Sequence, residues 1–595
     1  MKKETPRPIT DWMPITKQEM KKRGWQQPDV ILITGDAYVD HPAFGIAVIG
    51  RVLEDLGLKV AIIPQPNWKD DLRDFKKFGA PRLFFGISSG NMDSMVNHYT
   101  ANKRLRSDDA YTPGNQAGFR PDYALTVYSN IIKQLYPDSP LIIGGIEASL
   151  RRLTHYDYWE NRLKPSVLSD AKADLLVYGM GEAAITEIAK RLQEGSHIST
   201  LRDIPQTAFL TEKPTAQGRF LPGYEQCCND KRAFAKAFKL IETESNRMTP
   251  ETLIQKQQGA LYVQVNPPYP PVESQALDQV YALPFTRMPH PKYKKRGAIP
   301  AYEMIRHSVN IHRGCFGGCA FCTISAHQGK FIASRSEKSI LKEVKAVTAM
   351  DDFYGTITDL GGPSANMYRM KGHNEELCRK CTRPSCIFPN ICKNLNADHA
   401  PLTELYGKAK KISGVKHLFI GSGVRYDMLI PENHHGNYHT EAYTESLIRH
   451  HVSGRLKVAP EHTSDTVLKL MRKGSFSQFH RFKKQFDRIN KAAGLKQQLI
   501  PYFISSHPGS RLTDMAHLAA ETKAMGFRLE QIQDFTPTPM TLATVMFYTG
   551  LDPYTGNPIY TAKSQKEKKS QRMFFFWYKQ ENHRQIRQVL QKQGR

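Results

Sequence analysis

Acidic residues are scarce in this sequence: Asp and Glu number 57 against 83 Lys and Arg, a formal net charge of +26. So basic a balance points toward a polyanionic partner such as RNA, the alternative being a basic surface that serves only solubility. Long apolar runs are missing. No stretch reaches the roughly 18 apolar residues of a bilayer-spanning helix, so no membrane span is expected. Met1-Lys2-Lys3 is not followed by an apolar core, so no signal peptide is expected either. Cysteine is sparse as well, nine in 595 residues. Seven of them fall in two bunches, which argues against a disulfide framework and for metal ligation. The apolar fraction of 40% is ample for globular structure, and the length suits several domains.

The first bunch is Gly314-Cys315-Phe316-Gly317-Gly318-Cys319-Ala320-Phe321-Cys322, a C-x3-C-x2-C run. Thiolates are soft ligands suited to iron–sulfur clusters or zinc. A [4Fe–4S] cluster held wholly by protein takes four thiolates; this run supplies three and leaves one iron open for chemistry. Gly314, Gly317 and Gly318 permit a tight wrap round a bulky group. The alternative is a zinc site short of one ligand, or three buried thiols.

The run resembles the signature of the radical S-adenosylmethionine (SAM) enzymes, with Phe321 in the aromatic place. The resemblance implies a [4Fe–4S] cluster on Cys315, Cys319 and Cys322, SAM on the open iron, reductive cleavage to a 5′-deoxyadenosyl radical, and a cytoplasmic enzyme. It also implies a one-electron donor of the flavodoxin or ferredoxin type.

Upstream, strand and helix alternate. Asp29–Thr34, Lys59–Ile63, Arg82–Ile87, Leu141–Gly144 and Asp174–Tyr178 read as buried strands. Helices are expected near 43–56, 122–136 and 182–192. Residues 1–195 therefore form an α/β, doubly wound domain with any ligand at the strand carboxyl ends. The layout, with Leu175-Leu176-Val177-Tyr178-Gly179-Met180-Gly181-Glu182, resembles the cobalamin-binding-like domains that precede many radical SAM cores. Their ligand pattern is D-x-H-x-x-G. Asp40-His41-Pro42-Ala43-Phe44-Gly45 has the wrong spacing, so cobalamin is not expected and His41 reads as a loop residue. The polar stretch 91–118 reads as a long solvated loop whose Arg104 and Arg106, with Arg120, Tyr99 and Tyr111, are candidate polyanion contacts. Residues 196–300 read as a connector with a stiff Pro-rich piece at 266–271. Cys227 and Cys228, being adjacent, read as plain thiols.

From 301 to 550 the pattern predicts six β/α units, a partial TIM-like barrel with chemistry at the strand carboxyl ends. Expected strands are His307–Ile311, Thr356–Leu360, His417–Ile420, Leu456–Val458, Gln498–Ile504 and Glu530–Phe535. That matches the radical SAM core, where the first strand feeds the cluster loop. The family places a Gly-Gly-Glu-like motif after the second strand to hold the SAM ammonium. Gly361-Gly362-Pro363 keeps the glycines and lacks the acid, so Gly361 and Gly362 are carried over as cofactor contacts. Phe321 is placed on or near adenine. Stretches at 457–471 and 534–550, and Ser334-Arg335-Ser336-Glu337-Lys338-Ser339-Ile340, resemble the YgiQ-type branch, with a core similar to the methylthiotransferases; the likeness runs along most of the chain and leaves the reaction open.

The second bunch, Cys378-x2-Cys381-x4-Cys386-x5-Cys392, lies in an insertion at 374–396. Four thiols make a closed site for zinc or an auxiliary [4Fe–4S] cluster. His434, His435 and His439 read as a solvated loop. Glu461 and His462, at the fourth strand's end, are candidates for SAM or substrate contact. The tail, 551–595, is basic: from Lys563 it carries ten Lys/Arg against two Glu, around the aromatic run 573–578. Lys568, Lys569, Arg572, Phe575 and Trp577 suit a nucleic-acid strand; the alternative is a helix docked on the barrel. Three readings follow: a radical SAM enzyme acting on RNA or another macromolecule, one acting on a small metabolite, or a non-catalytic metal-bearing nucleic-acid-binding protein. The sequence fixes no oligomeric state.

Overall fold

Val30–Thr34 is apolar and β-branched throughout, and all five residues are buried. A strand covered on both faces accommodates such a run. The same holds for Val60–Pro64, and these strands begin the sheet of the computed structural model, which describes residues 7–434, 436 and 438–592. The chain forms an α/β protein of two compact units.

The first unit comprises residues up to Ala233 with Thr249–Arg306 and Ala326–Gln328. Its sheet has nine strands. Five parallel ones lie in the order Val60–Pro64, Val30–Thr34, Phe84–Ser88, Leu141–Gly144, Leu175–Val177. Numbered along the chain this is 2-1-3-4-5, a doubly wound order. Helices Gly45–Asp55, Ala124–Leu135 and Glu182–Gln193 occupy the expected places. The segment 196–300, read from sequence as a connector, supplies the other four strands. Thr207–Thr211 pairs antiparallel with Leu175–Val177, and Tyr262–Val265, Leu253–Lys256 and Arg219–Leu221 follow outward. These strands are short and flanked by Pro and polar turns, which blurs their period on paper. The end of that segment is tied down too: the Thr286 N–H donates to Asp40 Oδ2 at 2.8 Å, and buried Arg51 donates from Nε to Oδ1 at 3.1 Å.

Arg120, expected on a solvated loop, is instead fully buried. Its guanidinium stands 2.9 Å from both Asp36 and Asp109 and donates to the Ser89 carbonyl at 3.0 Å. A polyanion cannot reach it; Arg104 and Arg106 remain exposed. The adjacent thiols diverge, Cys227 buried and Cys228 exposed.

The second unit comprises Phe234–Met248, His307–Ser325 and the chain from Gly329 onward. The helix Lys231–Ser245 thus contributes to it from within the supposed connector. Glu242 on that helix meets Arg472 at 2.7 Å and accepts from the Tyr554 hydroxyl. Six strands, the second of them interrupted at Thr358, follow one another with parallel pairing. Ser308–Asn310 pairs with Asp359–Gly361, and Thr356–Ile357 with His417–Leu418. Val424 bridges Val458. Arg455–Glu461 pairs with Gln498–Ser505, and that strand with Gln531–Asp534. Helices Glu337–Thr348, Ala400–Lys410, Thr440–His450, Phe476–Ala492 and Leu512–Ala524 fill the five gaps. Ser336 caps the first of these by accepting from Ser339 N–H at 3.2 Å.

The tail folds onto this unit. Ser564 and Glu567 form a capping box for Gln565–Arg572. Phe574, Phe575, Lys568 and Gln571 are buried, and the Gln571 side chain accepts from Ser506 N–H at 2.8 Å. Phe575 and Lys568 are therefore not free for bases or phosphates; Trp577 is half-buried. Among the described residues no helix is long and apolar enough to cross a membrane.

Candidate active site

The cysteine loop begins where the first strand of the second unit ends. Gly314, at φ +85°, brings its backbone so close to Phe331 that a Cβ would meet the Phe331 carbonyl at 2.2 Å. Only glycine fits that left-handed, crowded position. The loop is then held by Cys315 N–H to Gly329 O at 3.1 Å and Cys322 N–H to Cys319 O at 3.1 Å. None of the three thiols is in a disulfide, and all are half-buried. They converge. Burial pushes the Cys322 thiol up to about 12, and Cys319 and Cys315 push the same way. Cys315 is raised by burial and by Cys319, with Arg425 opposing.

Arg425 was not foreseen. It follows the third strand, and its guanidinium donates to Cys319 Sγ at 3.4 Å and to Asp427 Oδ1 at 2.9 Å. The Gly317 N–H stands 3.4 Å from Cys315 Sγ. Two donors thus face sulfur, the arrangement that steadies thiolate ligands. Burial would raise Asp427, but Arg425 outweighs it and holds the carboxyl low. The Gly421-Ser422-Gly423-Val424-Arg425-Tyr426-Asp427 stretch, glycine-rich after a strand, was the available signal.

Glu461 ends the fourth strand in a left-handed backbone, φ +69°, past a register shift. A buried non-glycine residue so placed is held there by its surroundings. Burial raises its carboxyl, opposed by Lys473 and Arg425, and it in turn raises Cys322. Lys473 is buried and was also missed. His462 does a different job from its neighbour: its Nδ1 accepts from Thr463 and Ser464 N–H at 2.9 and 3.0 Å. That is a turn and helix-entry role.

Gly361 and Gly362 close the second strand. A Cβ on Gly361 would meet Ser422 Oγ at 2.6 Å, and one on Gly362 the His312 ring at 2.5 Å. Both glycines are required by close approach. The Gly361 carbonyl already accepts from Ile311 N–H at 2.8 Å. Phe321 is half-buried, edge-on to buried His507 at 5.9 Å between centroids.

Cys378, Cys381, Cys386 and Cys392 also converge. Burial pushes the Cys386 thiol up to about 11; Lys330 opposes, while Cys392, Cys381 and Cys378 add. The loops touch: Cys386 N–H donates to the Phe316 carbonyl at 3.0 Å. The histidine loop makes local bonds. His434 bonds the Met428 carbonyl at 2.7 Å and His439 bonds Asp398 at 2.8 Å; His435 lies outside the described residues.

Comparison with known proteins bears on this arrangement. Residues 12–308 match the family model described as Radical SAM N-terminal, and residues 530–595 one described as a domain of unknown function, DUF3362. A UPF0313 protein of Porphyromonas gingivalis is 59% identical over 596 residues, covering 99% of this chain and 94% of the relative. One from Bacteroides thetaiotaomicron is 59% identical over 604 residues, covering 99% and 97%. One from Methanocella arvoryzae is 47% identical, covering 97% and 94%. Among solved structures, the radical SAM methyltransferase TsrM of Kitasatospora setae, with cobalamin and a [4Fe–4S] cluster bound, gives a TM-score of 0.47 at 14% identity, over 90% of this chain and 87% of that one. The cobalamin-dependent SAM radical enzyme OxsB, with aqua-cobalamin bound, gives 0.47 at 13%, over 91% and 58%.

Both of these solved proteins hold cobalamin, which stands against the expectation, drawn from the spacing at Asp40 and His41, that this chain would not. Spacing around one histidine does not decide the matter, because a cofactor of that size is held by many contacts across a domain.

Proposed function

The chain belongs to the UPF0313 family and so to the radical SAM superfamily, and on that premise we propose that it cleaves SAM reductively at the Cys315–Cys319–Cys322 loop. The observation that carries this is the convergence of three half-buried thiols with the side chains of Arg425 and Glu461 at the strand carboxyl ends. The residues fit a [4Fe–4S] cluster: three soft ligands, sulfur-facing donors and a glycine-lined wrap. A cluster held there would supply the one electron that splits the S–C5′ bond of SAM into methionine and a 5′-deoxyadenosyl radical.

The protein's own share is placement and exclusion. Gly317 N–H and Arg425 hold the thiolates; Asp427 fixes Arg425. Gly361 and Gly362 let Ser422 and His312 approach, shaping the wall where SAM's amino acid part would lie. Phe321 offers an apolar face to adenine. Glu461 and Lys473 give that end of the site its polar groups. The six parallel strands are read as the partial barrel that surrounds it. An electron donor of the flavodoxin or ferredoxin type, and a reducing cytoplasm, belong to the same reading.

For the substrate, a small metabolite is favoured over RNA, because the tail's Phe574 and Phe575 are packed away. Anaerobic reconstitution followed by assay of 5′-deoxyadenosine with a chemical reductant tests the central claim. SAM cleavage in the wild type, lost in the Cys315→Ala/Cys319→Ala/Cys322→Ala variant, is expected; cleavage persisting in that variant overturns it. RNA that co-purifies and leaves steeply with salt would reverse the choice of substrate class.

A further inference from the structure

Lys330 is a buried lysine outside the catalytic set just described. Its Nζ donates to the Arg383 carbonyl at 2.5 Å and stands 3.8 Å from Cys381 Sγ. Its charge also faces Cys378 and Cys386. A buried cation among four thiols implies an anionic group at their centre, since a cation shed of water needs a counter-charge.

The loop is built round that centre. Asn394 donates its side-chain amide to Cys378 Sγ at 3.3 Å. A Cβ on Gly372 would overlap Cys378 Sγ at 2.4 Å, so glycine there makes room for the sulfur. Cys381 N–H donates to Cys378 O at 3.1 Å, and Cys392 N–H to Cys386 O at 2.8 Å. One apolar cluster, including Phe316, Met367, Ile387 and Ile391, is bordered by Cys315 from the first set and by Cys386 and Cys392 from the second. The second centre therefore sits against the first loop, sharing its dry wall.

Zinc and a four-iron cluster both accept four thiolates, and they differ in size. Zinc draws each sulfur to about 2.3 Å of one point. On the reading proposed above, the second set abuts the cysteine loop of a reaction that consumes an electron, a task a cluster serves and redox-inert zinc does not. We propose that Cys378, Cys381, Cys386 and Cys392 hold a second [4Fe–4S] cluster, and that Lys330 is its buried counter-ion. Four thiolates on a [4Fe–4S]2+ core carry net negative charge, which Lys330 and the Asn394 amide offset. Nearby charge and donors to sulfur set such a cluster's reduction potential.

Iron, acid-labile sulfide and zinc are measured on the full chain purified and reconstituted without oxygen. The wild type should carry about eight irons and about eight sulfides. The Cys315→Ala/Cys319→Ala/Cys322→Ala variant should lose SAM cleavage and keep about four of each. The Cys378→Ala/Cys381→Ala/Cys386→Ala/Cys392→Ala variant should keep a SAM-responsive cluster. Zinc without sulfide in the first variant overturns the proposal and leaves the first site's reading intact; loss of SAM response with the second set loaded does the reverse. Should a multiple variant fail to fold, Lys330→Met decides. With iron content unchanged, the second cluster's potential should fall, and Lys330→Arg should restore most of it. A Lys330→Met potential equal to wild type removes Lys330 from the site.

Discussion

Cys322 is held as a thiol near neutrality, because burial pushes it up to about 12. Loading metal must therefore displace its proton. Anaerobic reconstitution should release protons and run faster between pH 7 and 9, which a pH-stat trace with iron counting will check; a rate flat across that range contradicts it. Half-buried Arg425 and buried Asp427 are an ion pair, and removing one partner strands the other's charge. Arg425→Met should cost roughly 3–5 kcal/mol in denaturant unfolding, and the double variant with Asp427→Leu should recover much of it. Glu461 calls for an isosteric change. Glu461→Gln should fold as wild type and cut 5′-deoxyadenosine formation at least about tenfold, the order expected of a positioned group; unchanged formation would leave it a structural residue.

At the scale of elements, the contact between the two cysteine loops is the critical joint. Gly318 has φ +60°, and a Cβ there would meet the Pro384 carbonyl at 2.2 Å. Gly318→Ala should destabilise the second unit by about 1–3 kcal/mol, since backbone strain and a backbone clash act together. Gly407 is the control. It lies within Ala400–Lys410 with nothing near its missing Cβ, so Gly407→Ala should stabilise by about 0.5–1 kcal/mol. Thermal melts of the two variants should move in opposite directions. The tail gives a second comparison: Phe574, fully buried, should cost about 3–5 kcal/mol as Ala.

For the molecule as a whole, pH stability follows from its buried histidines. Burial holds His462, His507 and His399 near 3, and His155 likewise, with Arg151 pushing the same way. Unfolded, each titrates near 6.5. Below that value the unfolded chain binds more protons than the folded one, so stability falls as pH drops from about 6.5 toward 3. Melting temperatures of the apo-protein at pH 7.5, 6.5, 5.5 and 4.5 should decline across the last three. A midpoint constant down to pH 4.5 would mean these rings are not buried neutral.

The sequence alone determined the local parts. Apolar β-branched runs specified the strands, helical spacing and caps such as Ser336 specified the helices, and cysteine spacing chose both thiol sets, because each signal lies within a few residues. The short edge strands of 196–300 were hidden by proline and polar turns. What the tertiary structure decided joins residues far apart in the chain. Arg425 and Cys319 meet across 106 positions, and Lys330 and Cys381 across 51. No local pattern marks a charge that will be buried, since exposed and buried arginines look alike in sequence; Arg120 is the plain case, read as solvated and found enclosed by two aspartates. A buried charge is affordable only where the fold brings its partner, and that pairing exists only once strands and loops have closed around it.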